Sequence, residues 1–178
     1  MLPISARDRI RFTPPALAEQ KPLPVFMLAP LTIAERAKYR RDLAMTAKQI
    51  SHTAYQSALA NAAKKYLSPV DHESATALLL ADDDDSAAAR FKLENQLIDA
   101  CGELRELAVL RAYFNDMTVI LAAKYALRGW ENYPVAFESD STGMVRDAAF
   151  NALPDAAIVE LGFEALRLMS PTKDQEKN

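Results

Sequence analysis

The longest proline-free run, Val70 to Tyr133, carries apolar side chains at helical spacing from Ala87 onward. One apolar stripe contains Phe91, Leu97, Ile98, Cys101, Leu104 and Ala108, and a second contains Leu107, Leu110, Phe114, Met117, Leu121 and Tyr125. Both stripes cannot face one neighbour on a straight helix of this length. We therefore predict a break near Tyr113 to Asp116 and two packed helices, which form the central buried element.

Local signals place further helices before this stretch. Thr32 and Glu35 form a capping box, because the Thr32 hydroxyl accepts from the Glu35 N–H while the Glu35 carboxylate reaches back to the Thr32 N–H. A helix beginning here should run to about Met45, and helical spacing resumes from Ala47 to Leu67. No Gly or Pro separates the two pieces, so they form one helix or two. Ser68-Pro69 ends the second piece.

Start and stop residues divide the rest of the chain. The run Asp82 to Asp85 predicts the start of the long helical stretch, or a loop directly before it, because Asp favours helix N-termini. Gly129 and Pro134 are helix stops, and the only tryptophan, Trp130, lies between them. A polar loop follows.

Two shorter helices are predicted after this loop. Ser141-Thr142 would cap one from about Gly143 to Asn151, and Pro154 suits the first turn of another. Ser170-Pro171 stops that last helix. The polar tail beyond it is expected to fray.

Residues 1–30 differ from the rest, because they hold six of the ten prolines and two short apolar pieces. The pieces, Ile10-Arg11-Phe12 and Val25 to Leu28, predict an extended arm or a loose two-strand β element, since proline confines strands to sheet edges. An edge strand would let the arm associate with another chain. The predicted fold is mainly α, with an N-terminal β arm or hairpin at 1–30, a helical domain at 31–172 and a flexible tail at 173–178.

Composition indicates an ordinary globular protein. Of 178 residues, 50% are hydrophobic, 25% are charged and only 4 are glycine. No apolar run reaches about 18 residues, so no transmembrane span is expected, and the charged N-terminus lacks the apolar stretch of a secretory signal. The single Cys101 excludes an internal disulfide and fits a reducing cytosol. We expect a cytoplasmic location.

The net charge of −3 hides an asymmetry along the chain. Residues 1–65 hold 11 Lys/Arg against 4 Asp/Glu, a balance of +7, whereas residues 66–178 hold 10 against 20, a balance of −10. Such a split either lets copies of the chain or charged partners attract one another, or reflects clustering on solvated helix faces.

No residue pattern supports catalysis, a metal site or a cofactor. His52 and His72 lie 20 residues apart, and neither has a second ligand at metal-binding spacing. The Asp run lacks the alternating oxygens, glycine and glutamate of an EF-hand, and Cys101 is predicted to be a small buried thiol on an apolar stripe. Neither a nucleophile elbow nor a phosphate-binding glycine loop occurs. We predict that the protein is not an enzyme.

The best basic cluster consists of Arg36, Lys38, Arg40 and Arg41. Such a cluster is able to contact phosphates. Acidic residues flank it, however, and no nucleic-acid-binding signature accompanies it. A solvated helix face or a protein-contacting patch is therefore favoured over a nucleic-acid site.

The aromatic residues Trp130, Tyr133 and Phe137 allow two interpretations. They would form an exposed patch for a partner, or Trp130 would anchor the loop in the core. The second interpretation is favoured.

Short segments of the chain resemble those of the tail assembly chaperones of long-tailed, siphophage-like bacteriophages. The matching segments are Pro24-Val25-Phe26-Met27-Leu28, Leu31-Thr32-Ile33-Ala34-Glu35-Arg36, Arg128-Gly129-Trp130-Glu131-Asn132, Leu153-Pro154 and Glu160-Leu161-Gly162. In that family a short β element precedes a helical body, and a Trp-containing segment leads through a loop to the closing helices. Asn132 and Pro134 occupy the region in which a Trp-Glu-Gly type segment has its loop glycines.

The resemblance implies a role without catalysis in the cytoplasm of a host cell. Family members are thought to coat the tape-measure protein before the tail tube polymerises around it, and to be absent from the finished particle. The implied partners are the tape-measure protein, the tail tube protein and further copies of the chain. The candidate partner-binding residues are Phe26, Trp130, Tyr133 and Phe137. The alternative is a structural tail or connector subunit that is retained in the virion.

Overall fold

Helices make up most of the protein. The computed structural model describes residues 8–81 and 83–170. Within that part of the chain the α-helices are α1 (Ile33–Thr46), α2 (His52–Tyr66), α3 (His72–Leu80), α4 (Asp84–Ala100), α5 (Gly102–Ala126), α6 (Asp147–Phe150) and α7 (Asp155–Met169). The strands are β1 (Ile10–Phe12), β2 (Val25–Leu28) and β3 (Leu127–Glu131). The predicted mainly α fold with a small N-terminal β element is confirmed.

The described chain divides into two compact units. Unit 1 contains the described residues up to Thr46 and those from Asn115 onward, and unit 2 contains Ala47–Phe114. This division differs from a boundary after residue 30, because β2 pairs with a strand that follows α5. The tail expected at 173–178 lies outside the described residues.

The sheet of unit 1 has three antiparallel strands in the order β1-β2-β3. The two N-terminal apolar pieces pair as expected, with Ile10 opposite Leu28. The sequence pattern does not predict β3, because its glycine and tryptophan mark only the end of a helix. In the structure β3 places Trp130 opposite Phe26. Among the described residues, β2 is therefore the central strand, and β1 and β3 lie at the edges of the sheet.

The side chain of Glu35 ties α1 to the sheet. The predicted capping box is present, because the Glu35 N–H donates to the Thr32 hydroxyl over 3.2 Å and the Thr32 N–H donates to Glu35 Oε2 over 2.8 Å. The second carboxylate oxygen of Glu35 accepts from Arg128 of β3 over 2.7 Å. The side chains of Arg128 and Glu35 are only 16% and 29% exposed. The ion pair is therefore shielded better than a surface pair, and it holds the start of α1 against β3.

Unit 2 consists of α2, α3, α4 and the first part of α5, with a core of its own. The buried residues of this core are Tyr55, Leu59, Ala62, Ala63, Leu79, Leu97, Cys101 and Leu104. Helix α2 begins after Ser51, whose hydroxyl accepts from the Ala54 N–H over 3.1 Å. The stretch from Thr32 to Leu67 therefore forms two helices, separated by a side-chain cap without Gly or Pro.

The acidic run starts a helix, which is one of the two structures predicted for it; the other is a loop before the helix. The Asp83 carboxylate accepts from the Ser86 N–H over 2.7 Å and caps α4. Hydrogen bonding from the Ser86 side chain, and then from the Ser86 backbone N–H, holds the pKa of Asp83 below its ordinary value. Asp82 lies outside the described residues.

The predicted break near Tyr113 to Asp116 is wrong, because α5 is continuous from Gly102 to Ala126. The break lies at Cys101, which has an extended backbone and is buried. The turn at Cys101 lets Leu97 of α4 and Leu104 of α5 enter the same core. The junction of these helices lies within the first stripe, which continues to Leu104 and Ala108 on α5, and it comes nearly two turns before Leu107, where the second stripe begins.

The helix predicted from Gly143 to Asn151 is shorter than expected. The Asp140 side chain accepts from the backbone N–H groups two and four residues further along the chain, over 2.8 and 3.1 Å. These bonds form a turn in which Gly143 has a φ of +81°, a value that an α-helix does not allow. Helix α6 therefore begins only at Asp147. Helix α7 follows Pro154 and ends before Ser170, as predicted.

Helix α7 lies close to the backbone of α5 at Gly162. A Cβ atom at this position of α7 would lie 2.4 Å from both the carbonyl oxygen and the Cγ1 atom of Val119 on α5. Only a hydrogen atom fits there. Glycine is otherwise unfavourable inside a helix, so its presence in α7 is explained by this contact with the backbone of α5.

We expect Gly162→Ala to destabilise the protein by about 1–3 kcal/mol, because the added methyl group must push α7 away from the backbone of α5. The higher helix propensity of alanine, about 1 kcal/mol, offsets only part of this cost. Urea unfolding followed by circular dichroism measures the difference. The matched control is Gly102→Ala at the start of α5, where an added Cβ meets nothing within 4 Å. Equal stability of the two variants would contradict the close contact.

We also expect two substitutions of Glu35 to lower the free energy of unfolding by different amounts. Glu35→Gln keeps the capping geometry but removes the ion pair with Arg128, and should cost about 1 kcal/mol. Glu35→Ala removes both interactions and should cost about 2 kcal/mol. Equilibrium unfolding at pH 7 checks the order, and a smaller cost for the alanine variant would contradict it.

The loss of unfolding free energy caused by Glu35→Gln should be smaller at acidic pH than at pH 7. Burial raises the pKa of the Glu35 carboxyl, but hydrogen bonds from Thr32 and the charge of Arg128 outweigh burial and leave the pKa below its ordinary value. The charged form therefore stabilises the folded state above the unfolded-state pKa of about 4.3, and this contribution is lost as pH falls through the lower folded-state pKa. Unfolding curves at pH 7 and about pH 3 test this, and a pH-independent difference would contradict it.

Candidate functional site

The four aromatic residues predicted to bind a partner lie together in unit 1. The ring of Trp130 is 5.8 Å from that of Phe26, 5.9 Å from that of Tyr133 and 4.9 Å from that of Phe137, measured between centroids. The contacts with Tyr133 and Phe137 are edge-to-face, an arrangement that aromatic pairs prefer. We call these four residues the aromatic cluster.

Burial divides the aromatic cluster into an inner and an outer pair. Phe26 is 0% exposed and Trp130 only 8%, and the indole N–H of Trp130 donates to the Val135 carbonyl over 2.6 Å. Trp130 thus anchors the following loop in the core, which is the interpretation favoured from the sequence. Tyr133 and Phe137 are half-buried. A partner that binds here without unfolding the sheet would contact Tyr133 and Phe137 and could not reach Phe26.

The loop after β3 is shaped by Asn132, which has a φ of +58°. Asparagine tolerates this left-handed conformation better than most residues other than glycine. Its side-chain amide donates to the Leu23 carbonyl over 3.1 Å. Asn132 therefore supplies the backbone conformation that a loop glycine usually provides, and Tyr133 reaches the Ala152 carbonyl with its hydroxyl at 3.2 Å.

The basic cluster of α1 is partly engaged inside unit 1. Arg36 donates to the Leu31 carbonyl over 3.2 Å, and Arg41 pairs with its neighbour Asp42 over 2.8 Å. Lys38 and Arg40 are exposed. Two of the four cations are thus held by other groups of the protein, an arrangement that does not form a continuous phosphate-binding surface.

The residues considered for metal or nucleophilic chemistry, His52, His72 and Cys101, have separate surroundings in the structure. Within the described residues no group of three or more His, Cys, Asp or Glu side chains could hold a metal ion. His72 Nε2 lies 3.1 Å from the Leu67 carbonyl, where it joins α3 to the end of α2. Cys101 is buried in the core of unit 2, as predicted. His52 is exposed on α2.

Several large apolar side chains point to solvent, and sequence periodicity does not identify them. On α7 of unit 1, Val159 and Phe163 lie one turn apart and are 42% and 60% exposed. In unit 2, Phe91 is 67% exposed although it belongs to the apolar stripe predicted for burial. The periodicity shows which face of a helix is apolar, but it does not show how much of that face a neighbouring helix covers.

Unit 2 also contains a polar cavity that the sequence does not reveal. The cavity has a volume of about 440 Å³ and lies between α2, α3, α4 and α5. Its polar lining consists of His52, Gln56, Arg90, Glu94 and Arg111. These residues are far apart in the sequence, and only the packing of four helices brings them together.

No helix in the described part of the chain combines the length and the apolar character needed to cross a membrane.

Comparison of the chain with protein-family models, with curated proteins and with solved structures found no match.

Proposed function

We propose that the chain is a bacteriophage tail assembly chaperone that binds the tape-measure protein during tail morphogenesis in the host cytoplasm. The main support is the apolar face of α7, on which Val159 and Phe163 are exposed one turn apart. Side chains at this spacing lie on one side of a helix. A chaperone for a long apolar helix needs such a face, because helix-in-groove recognition relies on anchors three or four residues apart.

The segments that carry the family resemblance give further support, because they meet in unit 1. Phe26 lies opposite Trp130 across the sheet, and Glu35 pairs with Arg128. The Glu160 carboxylate accepts from the Ala16 N–H over 3.0 Å. Three of the segments that are similar to those of the chaperones, 24–28, 31–36 and 128–132, are therefore joined directly, and the segment with Glu160 is tied to the N-terminal part of the same unit through Ala16.

In this proposal the inner pair of the aromatic cluster has a structural role. Phe26 and Trp130 hold β2 against β3, and the tape-measure protein is contacted by exposed side chains on the helices. Tyr133 and Phe137 are a second, smaller surface, which the tail tube protein or another copy of the chain would use.

The alternative is a structural tail or connector subunit, and strand β1, which lies at an edge of the sheet among the described residues, favours it as a second candidate. Edge strands pair with other chains in permanent assemblies. Quantitative mass spectrometry of purified particles separates the two functions. A chaperone should be present far below the copy number of any tail subunit, whereas stoichiometric presence would favour the structural role.

We expect the purified protein to associate with a co-expressed tape-measure fragment at micromolar concentration. Phe163→Ala should weaken this association at least about tenfold, because truncation of an aromatic anchor removes about 1.4 kcal/mol or more. Phe163 is 60% exposed, so the variant should fold normally. A pull-down with the fragment detects the association, and interferometry measures the affinities of the wild-type protein and of Phe163→Ala.

Phe91→Ala is the matched control, because it removes the same side chain from an equally exposed position in unit 2. It should leave the affinity unchanged. Equal losses in the two variants would contradict a specific α7 surface. A wild-type protein that shows no association at micromolar concentration would contradict the proposed function itself.

A further inference from the structure

The cavity of unit 2 has the size of a ligand site. Its volume of about 440 Å³ lies in the range of about 300–1,000 Å³ found for small-molecule pockets. Five polar side chains converge on it, and Leu59, Leu79 and Leu80 supply apolar surface. Helical bundles commonly build binding sites in this way, from side chains on facing helices.

The charges at the cavity are not balanced. Two guanidinium groups, those of Arg90 and Arg111, face one carboxylate, that of Glu94, which leaves one excess positive charge when His52 is not counted. Among the described residues, no ion pair joins either guanidinium to a carboxylate. Partly buried cations normally have an anionic partner, because desolvation of an isolated charge is costly.

Neutral groups hold both arginines in position. The guanidinium of Arg111 lies over the ring of Tyr55, 4.4 Å from its centroid, and Arg90 donates to the Ala81 carbonyl at the end of α3. The Tyr55 hydroxyl donates to Glu94 over 2.6 Å. Burial and then the Glu94 carboxylate raise the pKa of Tyr55, so its hydroxyl remains a donor at neutral pH. Glu94 is thereby engaged with Tyr55.

We propose that this cavity binds a small organic anion, with a carboxylate or phosphate group contacting Arg90 and Arg111 and an apolar body against the leucines. A planar guanidinium donates two parallel hydrogen bonds to either anion. Leu59 and Leu79 are buried at this cavity and would contact the apolar part of the ligand. Gln56 and His52 are placed to set the orientation of the ligand. The site lies wholly in unit 2 and does not depend on the proposed function.

The test uses the full chain and four probes of similar shape. Benzoate and phenyl phosphate carry the two anionic groups, benzamide is the neutral counterpart and benzylammonium is the cationic one. We expect the anions to bind with dissociation constants on the order of 1 mM or tighter. Nitrogen-15 NMR titration should show shifts confined to the helices that line the cavity. The ratio of the two anion affinities distinguishes a carboxylate from a phosphate ligand.

Arg111→Gln and Arg90→Gln should each weaken benzoate binding at least about tenfold, because each removes charge-assisted hydrogen bonds. Arg105→Gln is the matched control, since Arg105 lies on the same helix as Arg111 but its guanidinium donates to the Asp99 carbonyl away from the cavity lining. If Arg111→Gln fails to fold, the affinity of Arg90→Gln for benzoate and the comparison of benzoate with benzamide still test the proposal.

Any one of three results would overturn the proposal. The first is that benzamide binds as tightly as benzoate, and the second is that Arg90→Gln and Arg111→Gln bind benzoate as tightly as Arg105→Gln does. The third is that the NMR shifts are scattered over the surface of the chain.

Discussion

The pairing of β2 with β3 is the constraint on which unit 1 depends. It joins residues 25–28 to residues 127–131, so the chain between them closes a loop of roughly a hundred residues. Such closure is entropically unfavourable and needs strong local contacts to offset it. Phe26 and Trp130 supply them, since both are buried and their rings touch across the strands. The pair of Glu35 with Arg128, 93 positions apart, then fixes α1 to the same strand.

This constraint separates the framework of the molecule from its exposed surfaces. The segments on which the proposed function partly rests contain the sheet pair, the capping box and the start of α7, and most of their large apolar side chains are buried. Side chains free to meet another molecule lie both inside these segments, as Ile33 does, and outside them, on the outer face of α7 and around the cavity of unit 2. The buried part of the segments therefore bears on how unit 1 folds, whereas a partner would contact the exposed side chains.

Local chemistry allowed part of this structure to be predicted. The Thr32–Glu35 box, the Asp83 cap and the end of α7 before Ser170 each depend on contacts within a few residues. Strand β3, the break at Cys101 and the cavity were missed, because each depends on neighbours that are distant in the sequence. The aromatic cluster is intermediate, since three of its residues are close in sequence but the partner that buries Trp130 comes from β2.

The order of the units along the chain has a consequence for synthesis on the ribosome. Unit 2 is one continuous segment with its own core, so it is able to fold as soon as it has emerged. Strand β2 must wait until β3 has been translated, which takes about 5–20 s at about 5–20 residues per second. During that delay β2 has only β1 as a neighbouring strand, so the side chains of Phe26 and Leu28 lack the cover that β3 provides, and the nascent polypeptide is then more exposed to proteases and misassembly.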